Sequence, residues 1–365
     1  MTPFPRDDYR SLTRYRFDRT PVALDLSDNT NQWGTPPAAL EALRGAGADL
    51  LARYPDLYAD ELKAVAAERL GVPEACIATG CGSDDILDST FRACGGGAAD
   101  FMALASPTFS MVRPFARMNG MAARAVPWAE ALDDPGRLLE GGPSLVYVCR
   151  PNNPTGEVAP TAWVEALLEA AGEAGPVVVL DEAYVDFGGD TFAARAASHS
   201  RLVVSRTLSK AFGLAGLRIG YAVAAPATAL EIEKSRGPYK ISRVAGAAAA
   251  AALADADGWV ARTVAECVAN RGRAFEELRR RSLDPIPSWA NFVLFRAPTG
   301  EAAADALALR ALGVAVRPFP GDMPDGSDAL RLTIAPWAQM ERFFAALDAH
   351  LGAAAISVPE PGERS

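Results

Sequence analysis

Lysine is scarce in this chain. Of 36 basic residues only four are lysines, Lys63, Lys210, Lys234 and Lys240, so chemistry that needs a reactive amine has few places to occur. The most suggestive setting is the string SRTLSKAFGLAGLRIGY, Ser205–Tyr221. An apolar strand ends at Ser205, a turn follows with Thr207, Ser209 and Lys210, and Arg218 opens the next strand eight residues after the lysine. Walls from Phe212 and Leu214 would desolvate the amine and lower its pKa toward what imine formation with a carbonyl requires. The two hydroxyls and the guanidinium suit a phosphate group. Spacing alone favours a loop lysine beside capping hydroxyls; the whole string argues against that.

Four further segments place polar residues at strand ends. In VVVLDEAYVDF, Val177–Phe187, Asp181 closes an apolar run and Tyr184 lies three residues on; in isolation this reads as a helix-capping Asp with a core Tyr. In RPNNPTG, Arg150–Gly156, the Asn and Pro residues force a sharp loop that carries Asn153. ATGCGSDDIL, Ala78–Leu87, is a strand, a glycine turn and a helix start. The N–H groups of Gly82, Ser83 and Asp84 there would form an anion site. The second glycine spacing of a dinucleotide fingerprint is absent. SPTFSMV, Ser106–Val112, sets Phe109 after another strand end, where residue type cannot separate a stacking ring from a core one.

Inventory excludes other chemistry. His199 and His350 are the only histidines, and the five cysteines are scattered without a CxxC. That leaves little room for a Ser-His-Asp triad, a histidine-rich metal site or a disulfide framework, and no metal is expected. A net charge of -9 without a basic block points away from nucleic acid and anionic membranes. The start MTPFPRDDYRSL lacks the apolar core of a signal peptide. The longest apolar stretch, Val244–Ala254, is far short of the ~20 residues that cross a bilayer. The expected location is the cytoplasm.

Positioning these residues needs a scaffold. Apolar runs at Ala75–Thr79, Phe101–Ala105, Ser144–Cys149, Val177–Leu180, Leu202–Ser205 and Ile219–Val223 read as buried strands. Amphipathic segments at Leu57–Leu70, Asp84–Arg92 and Thr161–Ala174 alternate with them. The alternation predicts an α/β fold with a mainly parallel sheet between helices, and ligands at the carboxyl ends of its strands. A helical stretch from Pro238 toward Arg281, broken near Gly258, leads to short strands at Asn291–Arg296, Ala315–Pro318 and Leu330–Ile334 with helices at Thr299–Leu312 and Gln339–Leu351. The expected organisation is an N-terminal segment, 1–34, packing on the small domain; a large domain, 35–260; a smaller α/β C-terminal domain, 261–352; and a disordered tail, 353–365.

The lysine string resembles the pyridoxal-phosphate (PLP) attachment site of fold-type I aminotransferases, most closely the histidinol-phosphate aminotransferase branch. The likeness extends over roughly Leu24 to Leu351. It implies the fold-type I PLP-transferase fold, and that Lys210 binds the cofactor aldehyde and moves the Cα proton. It further implies that Thr207, Ser209, Arg218 and the Gly82–Asp84 turn hold the phosphate. By the same likeness Asp181 holds the pyridinium nitrogen, Asn153 and Tyr184 the phenolic oxygen, and Phe109 stacks on the ring. Tyr54, in RYPD, matches a tyrosine that reaches the neighbouring subunit's phosphate, implying a homodimer with shared sites; a turn tyrosine fits nearly as well. Arg331 in ALRLTIA matches the arginine that grips the substrate's carboxylate or phosphate. Arg317 matches a second such arginine or is a surface ion pair, and Asn29 lies in a segment like L-x-x-N-E-N-P-x-G. Thr30, Gln32, Phe109, Ala335 and Lys240 depart from the pattern, chiefly on the substrate side. The implied activity is amino transfer from an amino acid or amino-alcohol phosphate to a 2-oxo acid in amino-acid biosynthesis. Alternatives are an aromatic or broad-specificity aminotransferase, a threonine-phosphate decarboxylase-like enzyme, and a non-catalytic PLP-binding regulator, for whose DNA-binding domain the chain before Leu24 is too short.

Overall fold

The computed structural model describes residues 4, 5, 7–10, 12–14, 18, 20–95, 97 and 100–357. In chain order the strands are β1 (Leu24–Asp25), β2 (Ile77–Cys81), β3 (Phe101–Ser106), β4 (Ala122–Pro127), β5 (Leu145–Cys149), β6 (Val177–Asp181), β7 (Leu202–Thr207), β8 (Ile219–Ala224), β9 (Phe292–Arg296), β10 (Val314–Ala315), β11 (Arg317–Phe319) and β12 (Ala329–Thr333).

A seven-stranded sheet runs in the order β2-β8-β7-β6-β5-β3-β4. Its strands pair in parallel from β7 to β4, whereas β8 is antiparallel to both neighbours. The inner strands are continuous runs of Val, Leu and Ile because both faces are covered. Alternate residues feed different cores: Val146, Val148, Val178 and Leu180 join one cluster, and Leu145, Tyr147, Val177 and Val179 join the other.

The expected α/β architecture holds, with shifted boundaries. The first strand starts two residues later than Ala75, since Glu74–Cys76 makes a 3-10 turn after Pro73. The helix expected from Leu57 starts at Asp60, because Ala59 sits at φ 57°, outside helical geometry. Strand β4 escapes sequence reading: AARAVP is an edge strand with mostly accessible residues and a terminal proline. The expected break near Gly258 separates the helices Arg243–Ala254 and Trp259–Arg280.

A three-stranded antiparallel sheet, β11-β12-β9, lies in the C-terminal part. The strand expected over Ala315–Pro318 is two: β10 pairs with β1, and β11 pairs with β12. Thus the N-terminal segment is stitched to the C-terminal part, where Thr333 N–H also donates to the Leu26 carbonyl at 3.0 Å. The last helix, Trp337–Ser357, runs into the segment read as a tail; 358–365 lie outside the described residues. No described helix is long and apolar enough to cross a membrane.

Candidate active site

The sheet register brings the polar strand ends together. Cys149 of β5 pairs with Asp181 of β6, and Asp181 with Ser205 of β7. Because β8 runs the other way, its start at Ile219, just after Arg218, lies at this same edge and pairs with Cys81, the end of β2. Loops leaving this edge carry Asn153, Tyr184 and Lys210, and the helix Gly82–Cys94 begins there. A cavity of about 510 Å³ opens on it, lined by Ser83, Asp84, Phe109, Asn153, Asp181, Tyr184, Thr207, Ser209, Lys210 and Arg218 among others.

The helix start is held by close backbone packing. A Cβ on Gly220 would lie 2.4 Å from both Gly82 C and Ser83 N, and one on Gly82 (φ +80°) would lie 2.6 Å from Arg218 Nη2. Only glycine permits that approach. Arg218 itself sits at φ 54°, in the left-handed region. Its guanidinium donates to the Asp84 carboxylate (3.3 Å), the Ala215 carbonyl (3.3 Å) and Ser209 Oγ (3.5 Å). Burial raises the pKa of Asp84, and the charges of Arg218 and Lys210 oppose this. Free N–H groups, two hydroxyls and a guanidinium thus face one end of the cavity, a setting for an anion.

Asp181 forms part of the floor. Its Oδ1 accepts from Ala183 N–H (3.2 Å) and its Oδ2 from the Tyr147 hydroxyl (2.8 Å). Burial pushes the carboxyl up to about 6, against the pull of those two hydrogen bonds. The capping alternative is not realised, since the short 3-10 turn Val185–Phe187 has no side-chain cap. Tyr147 was not singled out in the sequence: it sits inside an apolar strand, 34 residues from its partner.

Lys210 Nζ donates to the Asp28 carbonyl at 3.1 Å and lies 5.8 Å from the Tyr184 ring centre. Burial lowers the amine to about 8; Asp28 and Asp84 oppose this, and Arg331 and Arg218 reinforce it. The other three lysines are ion-paired: Lys63 with Glu233, Lys234 with Glu231 and Lys240 with Asp85. Asp28, which the sequence did not flag, lines the cavity as well.

A second cavity of about 190 Å³ shares Asp28, Phe109, Asn153, Tyr184 and Lys210 with the first and adds Asn29, Arg317 and Arg331. Arg331 and Arg317 are direct cross-strand partners on β12 and β11. One prong of the Arg331 guanidinium donates to Asn153 Oδ1, the other to the Ser27 carbonyl at 3.0 Å. The Tyr184 hydroxyl accepts from Asn29 Nδ2 at 3.1 Å, while its buried ring meets Phe292 edge-on. Burial raises its pKa.

Fourteen of the fifteen residues expected at the site gather around these two cavities, Gly82 through its backbone contact with Arg218. Tyr54 does not. It is 79% exposed, and its ring stacks on Tyr239 with centres 4.9 Å apart. Among the described residues no group of three or more His, Cys, Asp or Glu could hold a metal ion.

A parallel sheet carrying a lysine, a buried carboxylate and an anion-binding helix start at one edge is matched at family level. The chain belongs to the aminotransferase class I and II family, whose model matches residues 21–347. It is 36% identical over 358 residues to the histidinol-phosphate aminotransferase of Methylibium petroleiphilum, across 95% of this chain and 94% of that protein. It is 37% identical over 343 residues to that of Gluconacetobacter diazotrophicus, across 92% and 91%. The fold is similar to the crystal structure of histidinol-phosphate aminotransferase from Sinorhizobium meliloti in complex with pyridoxal-5'-phosphate, with a TM-score of 0.84, 29% identity, and coverage of 96% of this chain and 99% of that one.

Proposed function

We propose that this protein is a PLP-dependent aminotransferase of the histidinol-phosphate aminotransferase type, moving an amino group from an amino-alcohol phosphate or amino acid to a 2-oxo acid. The supporting observation is that one cavity takes its walls from the Lys210 amine, the Asp181 carboxyl and the Arg218 guanidinium.

The residues present fit the cofactor. The close-packed Gly82–Gly220 contact leaves helix N–H groups beside Arg218, Ser209 and Thr207 for the phosphate. Asp181, a buried acceptor, would hold a ring N–H, Asn153 and Tyr184 would hold a ring oxygen, and Phe109 would cover a ring face, all four lining the one cavity. The chemistry that PLP supplies when bound is an aldehyde for condensation with amines and a ring that draws electrons from the substrate's Cα.

The chain's own groups then divide the work. Asp181, kept anionic, holds positive charge on the ring nitrogen. Lys210 would hold the cofactor through its Nζ, and as a free amine the same Nζ would accept the proton from the substrate's Cα. Lowered by burial to about 8, this amine is unprotonated far more often near neutral pH than an ordinary lysine. Arg331 and Arg317, side by side, present two guanidiniums to the distal end of the substrate. That double charge suits a phosphate dianion better than a single carboxylate.

A homodimer is supported by the exposed apolar side chains Leu51, Leu57, Tyr54 and Tyr239, of which Tyr54 and Tyr239 stack on each other. A boundary near residue 260 between a large and a small domain is supported by the separate sheets at 77–224 and 292–333.

The test is a donor screen with 2-oxoglutarate, following glutamate formation. Histidinol phosphate is expected to react far faster than phenylalanine. Turnover of phenylalanine with histidinol phosphate inert would overturn the phosphate assignment, and carbon dioxide release without glutamate would overturn amino transfer.

A further inference from the structure

We infer that Tyr147 is a positioning residue for the reaction: its hydroxyl holds the Asp181 carboxylate anionic and aimed at the cofactor's ring nitrogen. The inference rests on the PLP reading above. Tyr147 is fully buried in the middle of β5 and does not line the cavity, so it can touch neither substrate nor cofactor. It lies two residues before Cys149, hence on the same sheet face, and Cys149 is the register partner of Asp181. That register carries the tyrosine hydroxyl to 2.8 Å from Asp181 Oδ2. Its ring meets Phe91 edge-on, 6.4 Å between centres, and Phe91 belongs to the helix whose start faces the phosphate end of the cavity.

The surroundings explain why the hydroxyl matters. Among the described residues Asp181 accepts from two donors, Ala183 N–H and the Tyr147 hydroxyl. The other titratable groups near it, Asp84 on the helix, Glu182 beside it, Cys149 on β5 and Tyr184 in the loop that follows, either carry like charge or, when neutral, supply none. Burial also disfavours the anion. A protonated carboxyl would present a donor where an acceptor is needed. A hydrogen bond to a charged group is worth more than a neutral one, so the tyrosine tips the balance toward the anion. A buried tyrosine needs some acceptor. Here it takes the Asp181 carboxylate, and the two donors together fix the plane of that carboxylate.

The experiment compares wild type, Tyr147→Phe, Asp181→Asn and the double variant. PLP affinity is read from tryptophan fluorescence of the apoenzyme, and kcat and KM are read separately. Tyr147→Phe is expected to weaken PLP binding about tenfold and lower kcat by a similar factor, with the donor KM nearly unchanged. In the Asp181→Asn background the same change is expected to have no further effect, as for two groups acting through one contact. Phe91→Leu, which disturbs the same packing but leaves the hydroxyl, is expected to lower the melting temperature without changing PLP affinity. Equal effects of Tyr147→Phe in both backgrounds, an unchanged PLP affinity, or a Tyr147→Phe protein that fails to fold would each overturn the proposal. Failure of the wild type to bind PLP would instead overturn the reading on which it rests.

Discussion

Gly220→Ala tests whether the helix start is placed by backbone packing. The new Cβ would lie 2.4 Å from two backbone atoms of the Gly82–Ser83 link, whereas ordinary contact begins at 3.4 Å. Something must therefore move by about 1 Å. Strand β8 is hydrogen-bonded on both sides, to β2 and β7, so the helix start yields. Forcing one extra carbon into such a contact costs about 1–3 kcal/mol, or roughly 2–6 °C in melting temperature for a domain of this kind. A 1 Å displacement of positioned groups costs on the order of 100-fold in function. The assay is a pair of measurements, apoenzyme melting and PLP affinity. Gly272→Ala serves as control: this glycine is exposed in the helix Trp259–Arg280 with open space at its Cβ, and the change should stabilise by roughly 0.5–1 kcal/mol. The expected result for Gly220→Ala is a modest loss of stability with a PLP affinity loss of roughly 10- to 100-fold. Wild-type affinity and melting in Gly220→Ala would refute the packing argument.

Three further outcomes follow from the same geometry. Asp181→Asn removes a carboxylate whose folded value, about 6, lies above its ordinary 3.8. Such a raised acid favours folding below pH 4 and loses that advantage as pH rises through 6. The apo variant should therefore be more stable than wild type at pH 7.5 by about 3 kcal/mol, with the gain gone by pH 4; equal melting curves at pH 7.5 would contradict the burial argument. For Lys210, lowered to about 8, the sign is the reverse. Its neutral form suits the fold, so its contribution is complete above about pH 10.5 and is lost as pH falls to 8. Lys210→Met should make apoenzyme stability less pH-dependent across that window, as measured by urea titration. Arg331→Lys keeps the charge but cannot serve both Asn153 and Ser27 with one fork. The donor KM should rise about tenfold or more while PLP affinity stays unchanged.

Much of this site was legible in the sequence because it is built from short local strings at strand ends. Apolar runs marked the strands, one of them closed by Asp181, and turn residues marked the loops carrying Asn153 and Lys210. What stayed hidden depends on pairing between distant segments. Tyr147 reads as one more core residue until register sets it against Asp181. Asp28 enters because the N-terminal segment folds across the site and its carbonyl meets Lys210. The adjacency of Arg317 and Arg331 is a property of the β11–β12 register, not of either string. Gly220 lies inside the lysine string, but its role appears only when the helix start is laid against β8. For Tyr54 the sequence left two readings open, and its exposed ring stands away from the cavities of its own chain.

The central claim is that one amine among four lysines carries the cofactor. Borohydride reduction of the PLP-loaded protein, followed by proteolysis and mass spectrometry of the four lysine peptides, reads this directly. A single pyridoxyl label on Lys210 is the predicted result. A label chiefly on Lys63, Lys234 or Lys240, or labelling no stronger than in denatured protein, would contradict the account.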